Sequence, residues 1–359
     1  MAAHLRLRRR GACDCQRPAQ RRAAGIRVSL VRPTGGGLTL APLIGIHASH
    51  EQFRPDRLLR VVQAAEAAGF DAGMCSDHWA PWSEEQGESG FAWSWLGAAL
   101  ATTSMPFGVV NAPGQRYHPA IIAQAAATLG VMFPDRFWIA VGSGQLLNEH
   151  ITGERWPSKP ERNERLHESA DIMRRLWAGE TVSSSGHVRV SEAHLWTRPE
   201  RPPMLVGAAV TPETAGWVAE WADALITVVQ PDAQLDAVVA AFRSNGGADK
   251  PMYLQVHLAY APTDDEARSA AFAQWGQNCV DNSVMTSLAH PAQVTAAAAH
   301  TTPDALDGAV RISSDPARHV EWLARDLERG FDGLYLHEVG PEQERFVEVF
   351  GREVLPRLK

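Results

Sequence analysis

From Leu43 onward the chain alternates short apolar runs with longer stretches whose apolar residues recur every three or four positions. The short runs are Leu43–Ala48, Ala72–Ser76, Phe107–Asn111, Phe137–Gly142, Met204–Ala208, Ala224–Val228, Met252–Tyr260 and Gly333–His337. Their nearly unbroken apolar character predicts strands covered on both faces, as parallel strands are. The longer stretches carry helix signals. Pro55 suits a first turn ahead of Leu58, Leu59, Val62 and Ala65, and Gly69 closes that helix. Pro119 opens another that runs to Phe133, where Pro134-Asp135 stops it. Glu161–Gly179 places Leu166, Ala170, Met173 and Trp177 on one face.

Strands separated by helices of this length imply parallel pairing through right-handed crossovers. Eight strand-helix units predict an α/β fold of the (β/α)8 TIM-barrel kind over residues 43–359, with insertions. A doubly wound open sheet is the alternative, but neither a dinucleotide glycine fingerprint nor a P-loop occurs. Two segments exceed a minimal barrel. Thr181–Pro203 reads as a β-hairpin turning at Gly186, and Asn278–Arg311 as irregular helices over one end.

Charge sets the N-terminal segment apart. Residues 1–42 hold nine Arg and one Asp, a net of +8; the whole chain is −7, so residues 43–359 carry −15. The segment is read as a disordered Arg-rich extension, with a transit peptide or a phosphate-binding arm as the other readings. The acidic body argues against nucleic acid as a partner. No apolar run reaches the ~18 residues that would cross a bilayer, so no membrane span is expected. Cys13, Cys15, Cys75 and Cys279 show neither metal-ligand spacing nor a disulfide framework, which suits a cytoplasmic protein.

Barrel chemistry sits at the C-terminal ends of the strands. The second strand is followed by Ser76-Asp77-His78-Trp79-Ala80-Pro81-Trp82, and a His between aromatic side chains suits proton transfer. The third ends in Val109-Val110-Asn111 before Ala112-Pro113-Gly114, where a bulge would support a flat ring. The fourth gives Gly142-Ser143-Gly144-Gln145, small enough for close backbone approach. The fifth gives Gly207-Ala208-Ala209-Val210-Thr211-Pro212, with Thr211 as an N-cap and the helix start as a phosphate seat. Trp79, Trp82, Trp93 and Trp95 are candidates for an aromatic pocket.

As a set, His47–Phe53, Ser76–Trp82, Arg116-Tyr117-His118-Pro119 and Val141–His150 resemble the luciferase-like flavin oxidoreductase family from about Leu43 to the C-terminus. Within it the chain is similar to glucose-6-phosphate dehydrogenases that use the deazaflavin coenzyme F-420. That resemblance implies His78 as active-site base, Trp82 as a substrate wall, Asp77 near the coenzyme ring, and a homodimer. Three positions depart from it. Gln145 stands where those enzymes carry a proton-donating Glu. Val210-Thr211 stands where paired glycines meet the coenzyme phosphate. Val229-Gln230-Pro231 stands where a lysine binds the substrate phosphate.

These departures turn the expectation toward a subgroup that uses FMN. On that reading the enzyme is an FMN-dependent oxidoreductase, in one form a monooxygenase, acting on a small organic molecule. Val109, Val110 and Asn111 would meet the ring with Asp77 near it, Gly144 and Gln145 would also contact the cofactor, and Gly207, Ala208, Ala209, Val210 and Thr211, with Ser143, would meet the phosphate. Reduced flavin, or a nicotinamide-linked flavin reductase, would supply electrons. Three alternatives stay open: a coenzyme F-420-dependent dehydrogenase or reductase, a non-catalytic flavin-binding protein, and a metal-dependent hydrolase using His47, His78, His257 and His337.

Overall fold

The computed structural model describes residues 42–359; the Arg-rich extension expected at the N-terminus lies outside the described residues. Within them the chain runs β1 (Leu43–Ala48), α1 (Pro55–Ala67), β2 (Ala72–Ser76), α2 (Ala92–Thr102), β3 (Phe107–Asn111), α3 (Pro119–Met132) and β4 (Phe137–Val141). It continues through α4 (Leu146–Glu149), α5 (Lys159–Ala178), β5 (Thr181–Ser185), β6 (Arg189–His194), β7 (Met204–Ala208), α6 (Pro212–Trp221), β8 (Ala224–Val228) and α7 (Asp232–Phe242). Then come β9 (Met252–Ala259), α8 (Asp264–Trp275), α9 (Asn282–Met285), α10 (Pro291–Ala298), β10 (Arg311–Ile312), α11 (Pro316–Glu328), β11 (Gly333–Glu338), α12 (Gln343–Glu353) and α13 (Leu355–Leu358).

Among the described residues eight parallel strands close on themselves in the order β1-β2-β3-β4-β7-β8-β9-β11, with β11 returning to β1. The predicted (β/α)8 barrel is what forms, and each predicted strand appears to within a residue of its predicted end. The capping signals act as read. Pro55 and Pro119 start their helices, and Gly69 and Gly179 take φ values of +96° and +91°, a region open chiefly to glycine.

Large rings face glycines across the barrel interior. Trp138 stacks on Tyr253 with centroids 5.6 Å apart and donates from Nε1 to the Tyr335 hydroxyl at 3.1 Å. A Cβ on Gly108 would stand 2.0 Å from Trp138, and one on Gly45 2.6 Å from Tyr335. The interior is therefore filled, and a ligand has room only above this layer.

Both predicted insertions are present. β5 and β6 pair antiparallel about Gly186, and Glu168 of α5 holds the turn by accepting from His187 N at 2.7 Å. The segment after α8 contributes α9, α10 and β10, which extends the sheet beside β9. Its Leu306 packs with Ala271, Trp275 and Val339 in a second small core at the C-terminal end of the strands.

Candidate active site at the barrel mouth

β1 and β2 lie in register, with Ala48 opposite Cys75, so the loops that follow them meet at the mouth. The first loop carries Glu51 and the second His78. His78 Nδ1 stands 2.6 Å from Glu51 Oε1, a close contact that becomes an ion pair when the imidazole is protonated. Ser49 Oγ donates to the other Glu51 oxygen at 3.0 Å. Burial raises the Glu51 carboxyl, but the adjacent His78, through charge and hydrogen bonding, outweighs it and brings it down to about 2. Glu51 is thus an anion at every working pH. It fixes the His78 ring, whose edge packs against Trp82 at 5.0 Å between centroids. The side chain is 15% exposed, so the second ring nitrogen is free to trade a proton with a ligand.

Asp77 points the other way, into the wall. Its Oδ2 accepts from Asn111 Nδ2 at 2.8 Å and Trp93 Nε1 at 3.1 Å, and Arg116 Nη2 donates to its backbone oxygen at 2.7 Å. Burial pushes the carboxyl above its ordinary range, while Arg116, Asn111 and Tyr117 pull it back. Arg116 also meets Glu149: its amide donates to Oε2 at 2.7 Å, and Nε lies 3.5 Å from Oε1. Asp77, Arg116 and Glu149 form a buried strut linking the loops after β2, β3 and β4.

Below His78 lies a floor of neutral rings. His47 and His337 lie 4.3 Å apart between centroids, and His257 and His337 5.3 Å. Gln255 Nε2 reaches His257 Nε2 at 3.2 Å and His337 Nδ1 at 3.3 Å, and Gln52 Oε1 meets His337 Nε2 at 2.9 Å. Burial lowers His47 to about 3 and His257 to about 4, so both are uncharged near neutral pH. The Nδ1 atom of His47 is buried without a partner. Among the described residues no group of three His, Cys, Asp or Glu side chains is arranged to hold a metal ion.

Several sequence expectations need correction. The expected bulge at Val109–Asn111 is absent: β3 holds register with β4 from Phe107↔Phe137 through Asn111↔Val141. Val109 is fully buried in the core behind the strand, leaving Val110 as the part-exposed member of that set. Gly207 is a glycine because a Cβ there would stand 2.1 Å from Val218 of α6, a packing requirement. Trp93 and Trp95 are buried in the wall, Trp93 donating to Asp77 and Trp95 packing edge-on with His50. Trp79 is 57% exposed at the rim, where Asn148 Oδ1 takes its amide at 2.9 Å.

Other expected residues stand near the mouth as read. Ser143 Oγ accepts from Lys159 at 2.7 Å, Gly144 turns with φ +77°, and Gln145 N-caps α4. Ala208 ends β7 and Ala209 follows it, buried. Thr211 caps α6 by accepting from Thr214 N at 3.3 Å, while Val210 is 45% exposed. Glu51 and Arg116 were quoted in the sequence motifs without a role. An acid directly after a buried strand was the one available signal for Glu51.

A filled parallel barrel with an acid-held histidine at its C-terminal mouth is the plan of a barrel enzyme. The profile of the luciferase-like monooxygenase family matches residues 36–333, and the chain belongs to that family of oxidoreductases. An F420-dependent glucose-6-phosphate dehydrogenase of Microbacterium testaceum (strain StLB037) is 36% identical over 338 residues, 90% of this chain and 99% of the relative. Its counterpart in Mycobacterium tuberculosis (strain ATCC 25618 / H37Rv) is 32% identical over 331 residues, 88% of this chain and 98% of the relative. The solved structure of an F420-dependent secondary alcohol dehydrogenase in complex with an F420-acetone adduct superposes with a TM-score of 0.82 at 28% identity, covering 89% of this chain and 100% of that one.

These relatives overturn the expectation of an FMN-dependent monooxygenase. An FMN complex in the same fold, the oxygenating constituent of 3,6-diketocamphane monooxygenase from Pseudomonas putida, shares 16% identity at a TM-score of 0.63, a likeness of fold alone. The expectation had rested on branched side chains at Val210 and Thr211. Val210 is part exposed and Thr211 caps α6.

Proposed function

We propose that this enzyme is a coenzyme F-420-dependent dehydrogenase or reductase interconverting a hydroxyl and a carbonyl on a small organic substrate. The observation that carries the reading is the His78–Glu51 pair at the mouth of a barrel whose 32–36% identical relatives bear the name F420-dependent. The mouth fits a polar coenzyme: His47 Nδ1 is a buried donor or acceptor without a protein partner. Hydride acceptance is the chemistry a bound deazaflavin supplies.

His78 does the rest. A substrate C–H gives up hydride only as its O–H proton leaves, and the free ring nitrogen of His78 is the base placed to take that proton. Glu51 holds the ring in orientation and offsets the positive charge that forms. The Trp82 edge limits the space beside the ring. Gln145, the N-cap of α4, has no proton to give in the carboxyl role, so His78 is the single proton-transfer group of the reading. In the loop after β8 Val229 is buried and Gln230 reaches Thr227 Oγ1 at 3.5 Å, with no cation for a sugar phosphate there. A neutral secondary alcohol suits the floor of uncharged histidines better.

The test is direct. Purified protein is titrated with coenzyme F-420 and then given a panel of secondary alcohols, following loss of the oxidised deazaflavin absorbance. Saturable binding and bleaching by an alcohol support the reading; failure to bind F-420 removes it.

A further inference from the structure

Three cations stand on successive turns of one side of α5: Lys159, Arg162 and Arg165. α5 starts at the C-terminal face of the barrel, next to the loop after β4. Lys159 Nζ donates to Ser143 Oγ at 2.7 Å in that loop. Arg165, 9% exposed, donates from Nη1 to Gln115 Oε1 at 2.9 Å in the loop after β3, and its stem lies 3.0 Å from where a Cβ on Gly114 would stand. Arg162, 6% exposed, lies over the Trp156 ring at 4.4 Å and donates from Nη1 to Pro157 O at 2.8 Å. Its Nε is buried without an acceptor.

Among the described residues none of the three has a carboxylate within ion-pair distance. The neighbouring acids are committed elsewhere, Glu149 to Arg116 and Glu161 to Arg155. Burial depresses all three cations; like charge along the stripe adds to this for Lys159 and Arg162, while Glu149, Glu154 and Glu161 oppose it for Arg165. Their placement is also costly: the first turns of a helix favour negative charge, since the macrodipole is positive there. Two nearly buried guanidiniums whose direct hydrogen-bond acceptors are neutral, near the positive end of a helix, are costly to desolvate. An anion between them would offset that cost.

We propose that Lys159, Arg162 and Arg165, with Ser143, form an oxyanion site at the rim of the mouth that takes a phosphate or carboxylate group. The proposal builds on the F-420 reading, because the anionic appendage of that coenzyme is one source of such a group. An anionic substrate is the other.

The experiment measures binding to the full chain by fluorescence, using coenzyme F-420, its uncharged deazaflavin core, and inorganic phosphate, at several salt concentrations. Lys159→Gln is the first variant, since its partly solvated side chain is not needed for folding; Arg165→Gln is the second. A lost charge-assisted contact is expected to weaken anion binding by about tenfold or more, leave the uncharged core untouched, and flatten the salt dependence. Phosphate competing with F-420 identifies the coenzyme as the source. Phosphate binding alongside F-420, and weakened by the same variants, identifies an anionic substrate. Wild-type affinity for both F-420 and phosphate in Lys159→Gln and Arg165→Gln overturns the site. Failure of wild-type protein to bind F-420 or its core, with phosphate binding still lost in the variants, refutes the coenzyme reading and keeps the site.

Discussion

His78 Nδ1 and Glu51 Oε1 stand 2.6 Å apart, the acid buried and the imidazole open on its far side. A base held this way works as a unit with its holder. Replacing His78 by Ala is expected to cut turnover about 10²–10⁴-fold with coenzyme affinity retained. Glu51→Gln is expected to lose less, since the ring remains but its orientation and charge partner are weakened. The double variant should be no slower than His78→Ala alone. Single-turnover rates at saturating coenzyme measure this; additive losses would show that Glu51 acts apart from His78.

Acid stability follows from the buried histidines. Burial is the main cause that lowers His47 to about 3 and His50, His257 and His319 to about 4. Their folded-state values lie below the unfolded value near 6.5, so the unfolded chain takes up protons first as pH falls. The stability they provide is complete above about pH 6.5 and is lost as pH falls toward 4, by up to about 1.4 kcal/mol per pH unit for each group. Urea midpoints between pH 7 and 5 should drop steeply. His319→Gln, remote from the mouth, should flatten that drop by one group. A midpoint independent of pH over this range would contradict the neutral assignments.

The fold was legible because the barrel repeats one local rule eight times. Apolar runs such as Phe107–Asn111 have the length of a strand, and Pro55, Gly69 and Pro119 punctuate the helices, so boundaries came through to within a residue. Side-chain pairings were harder to read. His78 stood out as an imidazole at a strand end, but its partner Glu51 lies on a different loop, and only barrel closure brings the two together. Sequence could not show that Gly207 is also required by packing, since Val218 occupies the space a Cβ would need. Arg162 and Arg165 carried no signal in the helical pattern of Glu161–Gly179, yet both are buried, Arg165 against Gln115 of the loop after β3.

The filled barrel interior makes another expectation. An ideal Cβ at Gly108 would meet Trp138 at 2.0 Å, and Trp138 is itself fixed by Tyr253 and the Tyr335 hydroxyl. Gly108→Ala should therefore destabilise by at least about 1–3 kcal/mol as the ring layer is displaced. Gly97→Ala, on the exposed side of α2 with open space around it, should be neutral or stabilising, since alanine suits a helix better. Comparing the two by chemical denaturation separates the steric cost from any general effect of added methyls.

Asp326 of α11 offers the last contrast. It is fully buried and accepts from Arg311 Nη2 at 2.8 Å and Arg329 Nη1 at 3.0 Å, with a further contact from Arg311 Nη1. Arg329 continues outward to Asp232 and Asp236, so the network ties α11 to β10 and α7. Removing one member of a buried pair costs about 3–5 kcal/mol, because the remaining charge keeps its desolvation without its partner. Asp326→Asn is expected near the lower end, since Arg329 retains two outer carboxylates. Replacing Asp326 and Arg311 together by Leu and Met removes the stranded charge as well as the pair. That double variant should recover a substantial part of the loss, measured as the urea midpoint at constant slope. If it is no more stable than Asp326→Asn, the cost lies in lost packing of α11 and not in an unpaired guanidinium.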